Sequence, residues 1–206
     1  MADRPGFDAM QGEITRRGGH LGGCWGPADS GTFNPKLPLW LCGWFPIKTV
    51  LDVGCGFGAH LRAFRALGCQ VIGVEGLQYA AERCDVPVIC TDLELRPVVL
   101  HGIDLAFSVE TAEHVANWSY FLDTLCVGKV VAFSAAGPGQ AGHHHVNCQP
   151  QSWWIERVEL RGYTHFPKFS ELARAEAGGY FGMSGMVFLR DDVIGPWGCD
   201  VGGYDP

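Results

Sequence analysis

The sequence predicts an α/β fold in which helices cover both faces of a mostly parallel sheet. Two observations carry this prediction. From Ile47 onward, short apolar segments alternate with segments of helical periodicity, which is the order in which a parallel sheet is built. The first apolar segment also runs directly into a glycine-rich turn that opens a helix. The length of 206 residues suits one such domain and is short for two.

The first half of this alternation predicts three strands and two helices. Thr49–Val53 is a short apolar strand bounded by the turn. A helix over about residues 59–67 follows, because Leu61, Phe64 and Leu67 share one face and Gly68 supplies a stop signal. The next predicted elements are a strand over residues 70–74, a short helix over 77–83 and a strand over 86–90.

The second half begins with a predicted strand over residues 104–109. A helix over about residues 113–125 follows, with an apolar stripe at Val115, Trp118, Phe121, Leu122 and Leu125. The remaining predictions are a strand over residues 129–134, a helix from Pro150 to about 160, and strands over 163–166 and 186–189.

Three segments are predicted along the chain. Residues 1–46 are rich in Gly, Pro and Trp and are interpreted as an N-terminal cap or lid, with a short helix within residues 37–45. Residues 47–190 form the main domain. Residues 191–206 are predicted to be a poorly ordered tail.

Composition limits the kinds of binding partner and the cellular location that the sequence predicts. The net charge is -7 and no run of Lys or Arg appears, so a nucleic-acid partner is disfavoured. No apolar run approaches the roughly 20 residues that cross a bilayer, and the N-terminus lacks an apolar signal core. The nine Cys show no zinc-like spacing, which favours reduced thiols and a cytoplasmic location. The oligomeric state is left open.

The strand-to-helix turn reads Val50-Leu-Asp-Val-Gly-Cys-Gly-Phe-Gly58. Glycines at this position allow a tight turn and let a ligand approach bare backbone N–H groups at a helix N-terminus. With Ala59, the same turn satisfies the dinucleotide fingerprint, so a nicotinamide cofactor is an open alternative. A turn without a ligand is the structural alternative.

Three acids lie in or after the predicted strands. Glu75 ends the second strand, about 20 residues after the glycine-rich turn, where an acid can accept hydrogen bonds from ribose hydroxyls. Asp92 ends the third strand. Asp52 lies inside the first strand, where a carboxylate is costly unless backbone N–H groups or a cation meet it. The structural alternatives are a surface acid for Glu75, a turn former for Asp92 and an orienting role for Asp52.

Together, these residues resemble the class I S-adenosylmethionine-dependent methyltransferase superfamily. Ser108-Val-Glu-Thr-Ala-Glu-His-Val115 is similar to the Glu-His-Val/Ile signature of its small-molecule branch, which includes quinone-type O-methyltransferases. Gly142-His-His-His-Val-Asn147 and Trp153-Trp-Ile-Glu156 are similar to uncharacterised members. The resemblance implies a Rossmann-like sheet with strand order 3-2-1-4-5-7-6, an antiparallel seventh strand, and S-adenosylmethionine as cofactor.

The resemblance also implies roles for single residues. The turn would hold the methionine part of the cofactor, Glu75 the ribose, and Asp92 with Leu93 the adenine. The complete predicted cofactor-binding set is Asp52, Gly54, Gly56, Gly58, Glu75, Gly76, Asp92, Leu93 and Glu110.

Methyl transfer from a sulfonium mainly requires orientation, and a general base helps when the acceptor carries a proton. Ligands of open α/β sheets lie at the carboxyl ends of the strands, so histidines after the fourth and fifth strands are candidates for that base. We rank His145 first, then His114, then His144. Their structural alternatives are packing and loop roles. No metal is predicted, because the histidines lack an obvious carboxylate partner.

The predicted function is O- or N-methylation of a small molecule or glycan with S-adenosylmethionine as donor. One alternative is a nicotinamide-dependent oxidoreductase, which is disfavoured because the sequence contains no Tyr-x-x-x-Lys pair and no second domain. Another is a non-catalytic module that binds S-adenosylmethionine without turnover. Asn147 and Gln149 are expected to orient a substrate or hold their loop, and Phe57, Trp153 and Trp154 to shield the sulfonium or pack in the core.

Overall fold

The computed structural model describes residues 12–13, 20–21 and 31–195. Within them, seven strands form one sheet of order β3-β2-β1-β4-β5-β7-β6. All neighbouring strands pair in parallel except β7, which is antiparallel to β5 and β6. The predicted fold class, strand order and antiparallel seventh strand are therefore confirmed. The strands are β1 (Thr49–Val53), β2 (Gln70–Glu75), β3 (Val88–Cys90), β4 (Leu105–Ser108), β5 (Val130–Phe133), β6 (Tyr163–His165) and β7 (Met186–Arg190).

Helices lie between the strands and precede the first of them. A short 3₁₀ turn follows β4 at Ala112–His114 and another follows β7 at Asp191–Val193. The α-helices are α1 (Lys36–Trp44), α2 (Ala59–Ala66), α3 (Gln78–Ala81), α4 (Trp118–Leu125), α5 (Gln151–Glu159), α6 (Pro167–Ala177) and α7 (Gly179–Ser184).

Each face of the sheet carries its own hydrophobic core, because successive strand residues point to opposite faces. Val50 of β1 lies in a cluster with residues of α1, α2, α6 and α7. Leu51, its neighbour in the chain, lies in a second cluster with residues of α4 and α5. Helices therefore cover both faces, and every central strand is apolar on both sides, as expected for a buried parallel sheet.

The register aligns the carboxyl ends of the central strands. Val53 pairs with Val74 of β2, and Asp52 pairs with Phe107 of β4. The chain winds outward from β1 in both directions, so the edge beyond β1 and β4 is the point where the strand order reverses. Ligands of open α/β sheets bind in the crevice at such a point.

The predicted helix over residues 113–125 is wrong in its first part. The 3₁₀ turn Ala112–His114 ends at Val115, which has extended dihedral angles, and α4 starts only at Trp118. The carboxylate of Glu94 accepts hydrogen bonds from the backbone N–H groups of Ala116 and Asn117. In a continuous helix, the N–H groups of Ala116 and Asn117 would donate to backbone carbonyl oxygens. Here they donate to the Glu94 side chain instead, so the helix does not begin before Trp118.

Helices α6 and α7 were not predicted from the sequence. Pro167 lies in the first turn of α6, and the buried residues Phe169, Ala173 and Ala177 recur every four positions. Gly178 ends this helix with a positive φ of 58°. The helical signal was therefore present between β6 and β7.

The first residues of the predicted poorly ordered tail are structured. Residues 191–193 form the second 3₁₀ turn, Val193 is buried, and Ile194 packs against the core. Residues 196–206 lie outside the described residues.

Helix α1 confirms the predicted short helix before the first strand. Its Leu37 and Leu41 are fully buried in the same core as Phe169. Trp40 and Trp44 both lie edge-on against the Phe169 ring, whereas Trp25 lies outside the described residues. The division of the chain at residue 46 stays a prediction. None of the described helices is long and apolar enough to cross a bilayer.

The buried His60 of α2 predicts a pH-dependent stability. Its ring lies 5.2 Å from that of Phe33 and 4.8 Å from that of Phe107, and burial lowers its pKa to about 4. Because the unfolded chain binds this proton at a higher pH than the folded chain, stability falls as pH drops from about 6.5 to about 4. The loss from this group is roughly 3 kcal/mol.

Urea unfolding at pH 7.5 and pH 4 measures this effect. His60→Leu keeps an apolar side chain at the position and should show the smaller pH dependence. The exposed His101→Leu is the matched control and should behave as the wild type. An identical pH dependence in the wild type and His60→Leu would contradict the assignment.

Candidate functional site

A cleft of about 510 Å³ lies beyond the carboxyl ends of β1, β2, β3 and β4. Its volume is within the range of small-molecule sites. The structure brings most of the predicted site residues to its walls and leaves out Gly58 and His144. Those in the walls are Asp52, Gly54, Gly56, Glu75, Gly76, Asp92, Leu93, Glu110, His114 and His145.

The glycine-rich turn has the backbone shape that the sequence predicted. Gly54, Gly56 and Gly58 have φ values of 76°, 53° and 76°, which side chains rarely adopt. A methyl group built on Gly54 would lie 2.1 Å from Oγ1 of Thr111, so the turn and the segment after β4 pack too closely for any side chain. Gly58 is the N-cap of α2 and does not line the cleft.

Glu75 fixes the turn to the end of β2. Its Oε2 accepts a hydrogen bond from the Gly56 N–H, and its Oε1 accepts one from the Leu77 N–H, both at 2.8 Å. The residue is only 9% exposed, and burial raises its pKa, against the lowering effect of these backbone donors. The alternative of a solvated surface acid is therefore wrong.

Asp52 forms a buried acidic patch with Glu75. It lines the cleft at 2% exposure, on the same face of β1 as the apolar Val50. Burial raises its pKa well above the ordinary value, and the neighbouring Glu75 raises it further. A cationic group bound in the cleft would offset the cost of these two carboxylates.

Asp92 is engaged from two sides. Its Oδ1 accepts a hydrogen bond from the Glu94 N–H at 2.9 Å, and its Oδ2 lies 2.7 Å from Nε2 of His20. The first contact is the turn-forming role that the sequence allowed. The second brings the N-terminal segment to the cleft wall, so any ligand contact with Asp92 is shared with His20.

The N-terminal segment contributes further to the cleft. Leu21, Thr32 and Phe33 line it together with His20. The Tyr180 N–H of α7 donates a hydrogen bond to the Gly31 carbonyl oxygen at 3.0 Å, and the Tyr180 side chain lines the cleft. Residues of the N-terminal segment thus form part of the cleft wall, while Tyr180 was missed because α7 was not predicted.

The opposite end of the cleft is built by two loops that follow β4 and β5. The backbone N–H groups of Val146 and Asn147 both donate to the Glu113 carbonyl oxygen at 3.0 Å. The buried Asn147 side chain donates to the carbonyl oxygens of Ala112 and Val115. Asn147 therefore holds the loops together, which was the structural alternative for this residue. We call this region, formed by Glu113, His114 and His145, the histidine end.

His145 is held by one ring nitrogen and presents the other. Its Nδ1 lies 2.9 Å from the Gln140 carbonyl oxygen. Because a carbonyl oxygen only accepts, Nδ1 carries the proton and Nε2 keeps its lone pair. A methyl group on Gly142 would lie 2.1 Å from that Nε2, so the ring position requires glycine there. His144 has a positive φ of 49° and lies outside the cleft walls, near His20.

Beside His145 lie Glu113, which is buried, and His114, which is half-buried. Burial, followed by the charge of Glu110, raises the pKa of Glu113 to about 8. Burial, followed by His145, lowers the pKa of His114 to about 4. One ligand atom from each of Glu113, His114 and His145 lies within 4.8 Å of the others. The reason for predicting no metal is therefore wrong, because a carboxylate does accompany these histidines.

The aromatic residues divide between site and core. Phe57 lines the cleft. Trp154 is 1% exposed within the second core, and Trp153 packs against Trp118 and the Arg157 guanidinium. Neither tryptophan lines the cleft, and the packing role that the sequence allowed for them is the one observed.

Residues 51–126 match the family model described as a methyltransferase domain. This stretch contains the glycine-rich turn, Glu75, Asp92 and the segment after β4, and it lies in a sheet with the predicted strand order. This stretch is a methyltransferase domain, and its sheet has the fold of the class I S-adenosylmethionine-dependent superfamily. The superfamily predicted from the sequence is confirmed, and with it the methyl donor from which the superfamily takes its name.

Individual relatives of this methyltransferase chain are distant. A ubiquinone biosynthesis O-methyltransferase of Methylobacterium sp. (strain 4-46) is 33% identical over 87 residues, which are 38% of this chain and 35% of the relative. The chain spans about a third of the length of the curated relatives it matches.

Solved structures show the same fold. An S-adenosylmethionine-dependent methyltransferase from Aquifex aeolicus has a TM-score of 0.56 and 16% identity, over 79% of this chain and 92% of the other. Magnesium protoporphyrin IX methyltransferase from Synechocystis PCC 6803 has a TM-score of 0.55 and 13% identity, over 75% and 76%.

Gly54→Ala tests the close approach at the turn. Gly102 is a matched control, because its φ of 74° is nearly that of Gly54 but no atom lies within 4 Å of a methyl group built there. Gly102→Ala should lose roughly 1–2 kcal/mol of stability from its backbone conformation alone. Gly54→Ala should lose a further 1–3 kcal/mol or so through the contact with Thr111.

Urea unfolding of both variants at neutral pH measures the difference. Replacing Thr111 by Ala in the Gly54→Ala background removes the two nearest atoms and should recover part of the loss. Equal destabilisation of the two glycine variants would show that the turn tolerates a side chain at Gly54.

Proposed function

We propose that this chain transfers the methyl group of S-adenosylmethionine to an oxygen of a small-molecule or glycan acceptor. The observation that supports it most is the single cleft into which the methyltransferase-domain stretch places its turn, its strand-end acids and the histidine end. The curated relatives named ubiquinone biosynthesis O-methyltransferase favour oxygen over nitrogen as the acceptor atom.

The cofactor in this proposal lies along the turn. The methionine ammonium would meet Asp52, whose buried carboxylate lacks a cation among its described surroundings. The ribose hydroxyls would donate to Glu75, because a carboxylate has about four acceptor sites and the backbone N–H groups of Gly56, Gly76 and Leu77 do not fill them all. The adenine would lie by Gly76 and Leu93, and Asp92 would accept from it alongside His20. The structurally similar Synechocystis enzyme was solved with S-adenosylmethionine bound, which supports this cofactor.

The acceptor in this proposal lies at the histidine end. Methyl transfer is an in-line displacement, in which the acceptor oxygen bonds to the methyl carbon while the carbon–sulfur bond breaks. The cleft mainly supplies orientation for this step. His145 is the first candidate for the group that takes the acceptor proton, because its Nε2 lone pair is free once Nδ1 donates to Gln140. Glu110, which bonds the Ser134 hydroxyl, lies at the same end.

The structure does not support the alternative of a nicotinamide-dependent oxidoreductase. An antiparallel β7 lies between β5 and β6, whereas a dinucleotide-binding sheet is built from parallel halves. Isothermal titration with S-adenosylhomocysteine and with NAD separates the two. We expect binding of the sulfur nucleoside and none of NAD, and the reverse pattern would overturn the proposal. A screen of hydroxylated acceptors, scored by release of S-adenosylhomocysteine, separates an enzyme from a non-catalytic binding module.

Glu75→Ala is expected to weaken S-adenosylhomocysteine binding by about 10- to 100-fold. The reason is the loss of charge-assisted hydrogen bonds, which contribute roughly 1.5–3 kcal/mol. Because Gly56 and Leu77 also lose their acceptor, the urea midpoint should fall as well. Titration calorimetry on the folded variant measures the affinity, and the exposed Glu159→Ala is the control. Wild-type affinity in folded Glu75→Ala would remove this residue from the cofactor site.

His145→Ala is expected to lower kcat by about 10²- to 10⁴-fold while S-adenosylhomocysteine affinity stays near the wild-type value. The physical reason is that His145 lies on the loop after β5, whereas the turn follows β1 and Glu75 ends β2. Steady-state kinetics with an acceptor from the screen and calorimetry on the same preparation give the two numbers. His101→Ala, an exposed histidine outside the cleft walls, serves as control. Unchanged turnover would assign His145 a loop role only.

A further inference from the structure

We propose that Glu113, His114 and His145 bind a divalent transition-metal ion at the histidine end of the cleft. The site itself rests on the described side chains, and the role of the ion in methyl transfer rests on the proposed function. The three residues come from two loops, the 3₁₀ turn after β4 and the loop after β5. Hydrogen bonds between those loops, from Val146 and Asn147 to Glu113, fix the distance between them.

The geometry brings three ligand atoms to one point. One atom each from Glu113, His114 and His145 lies within 4.8 Å of the other two. Ligands that share a zinc-like ion at bond lengths of about 2.1 Å are themselves roughly 3–4 Å apart. The ligand atoms must therefore approach one another by about 1 Å to share such an ion.

The buried polar groups of this set face one another. The Glu113 side chain has 0% exposure, and its Oε1 lies 3.9 Å from Nε2 of His114. The Glu110 carboxyl and the backbone of Ala136 also interact with Glu113, and the backbone of His143 and His144 interacts with His114. Burying one carboxyl beside another is costly, and a cation bound between Glu113 and the two histidines would offset that cost.

His145 is already oriented as a metal ligand. Its Nδ1–H donates to the Gln140 carbonyl oxygen, which leaves the Nε2 lone pair available. Metal-bound histidines typically donate their second nitrogen to a carbonyl or a carboxylate in this way. Gly142 leaves the space next to Nε2 open, since a methyl group there would lie 2.1 Å from this atom.

The backbone around the ligands is held in rare conformations. Among the described non-glycine residues, positive φ values occur only at Glu110 (53°) and His144 (49°). Glu110 precedes Glu113 in the segment after β4, and His144 directly precedes His145. Such conformations concentrate at functional sites because the surrounding structure must hold them there.

The chemistry of the three ligand atoms, two nitrogens and one oxygen, favours one class of metal ion. Two imidazole nitrogens and one carboxylate oxygen suit zinc and its first-row neighbours, whereas Mg²⁺ and Ca²⁺ prefer sites made of oxygen. Three protein ligands leave a coordination position open, as in catalytic zinc sites. His114 and His145 line the cleft, so that open position faces the region proposed for the acceptor.

A cation there would favour an ionised acceptor oxygen. A hydroxyl bound to a divalent ion loses its proton more readily than a free one. When the ion is bound, the Nε2 lone pair of His145 is used in coordination, so the ion replaces His145 as the group that promotes loss of the acceptor proton, which passes to the solvent. The acceptor oxygen bonds to the methyl carbon, and the electron pair of the broken carbon–sulfur bond returns to the sulfur. The products are the methyl ether and neutral S-adenosylhomocysteine.

Titration of the full chain with Co²⁺ tests the site by absorption spectroscopy. We expect one saturable equivalent, visible d–d bands and no near-ultraviolet thiolate band, because the three ligands contain no sulfur. Zn²⁺ should displace the cobalt, and millimolar Mg²⁺ should not. His145→Ala and Glu113→Gln should weaken Co²⁺ binding at least tenfold, and the control His101→Ala should leave it unchanged.

Absence of saturable Co²⁺ binding in the wild type would overturn the proposal, as would a thiolate band or wild-type binding in the folded His145→Ala and Glu113→Gln variants. Titration of the same preparations with S-adenosylhomocysteine separates this inference from the proposed function. Binding of S-adenosylhomocysteine without binding of Co²⁺ would contradict the proposed metal site and leave the proposed function intact. Cobalt binding without nucleoside binding supports the metal site and counts against the methyltransferase proposal.

Discussion

The pair of hydrogen bonds between the Glu75 carboxylate and the N–H groups of Gly56 and Leu77 is the interaction on which the site depends. It ties the glycine-rich turn after β1 to the end of the neighbouring strand and satisfies a carboxylate that is nearly buried. Without that acid, two buried N–H groups would lack an acceptor and the turn would lose its shape. The shape of the cleft at the turn therefore depends on the carboxylate at the end of β2, because an apolar side chain there could not accept these hydrogen bonds.

At the opposite end of the cleft, hydrogen bonds again hold two segments together, here the loops that follow β4 and β5. The Glu113 carbonyl oxygen accepts from Val146 and Asn147, and the Asn147 amide returns two hydrogen bonds to the turn after β4. These contacts join loops that follow different strands, so His114 and His145 meet although they are far apart in the chain. Their ring centroids lie 5.0 Å apart as a result.

Buried carboxyl groups lie at both ends of the cleft. Burial and a neighbouring carboxylate raise the pKa of Asp52 at one end and of Glu113 at the other. Such groups are destabilising on their own, and a positively charged ligand offsets the cost. An adenosyl amino acid brings an ammonium and a sulfonium to the first end, and the proposed metal ion brings positive charge to the second. One electrostatic argument therefore underlies both proposals.

The sequence by itself determined the fold class, the strand order implied by its family resemblance, and the turn with Glu75 at its side. These follow from local patterns, since apolar periodicity and glycine spacing act over a few residues. Only the tertiary structure decided that Gly58 caps a helix, that Asn147 joins two loops, that Trp154 is core, and that Glu113 lies beside His145. These outcomes depend on hydrogen bonds and packing between segments distant in the chain, which local patterns do not encode. The broken helix before Trp118 has the same cause, because the acceptor for its free N–H groups is the distant Glu94.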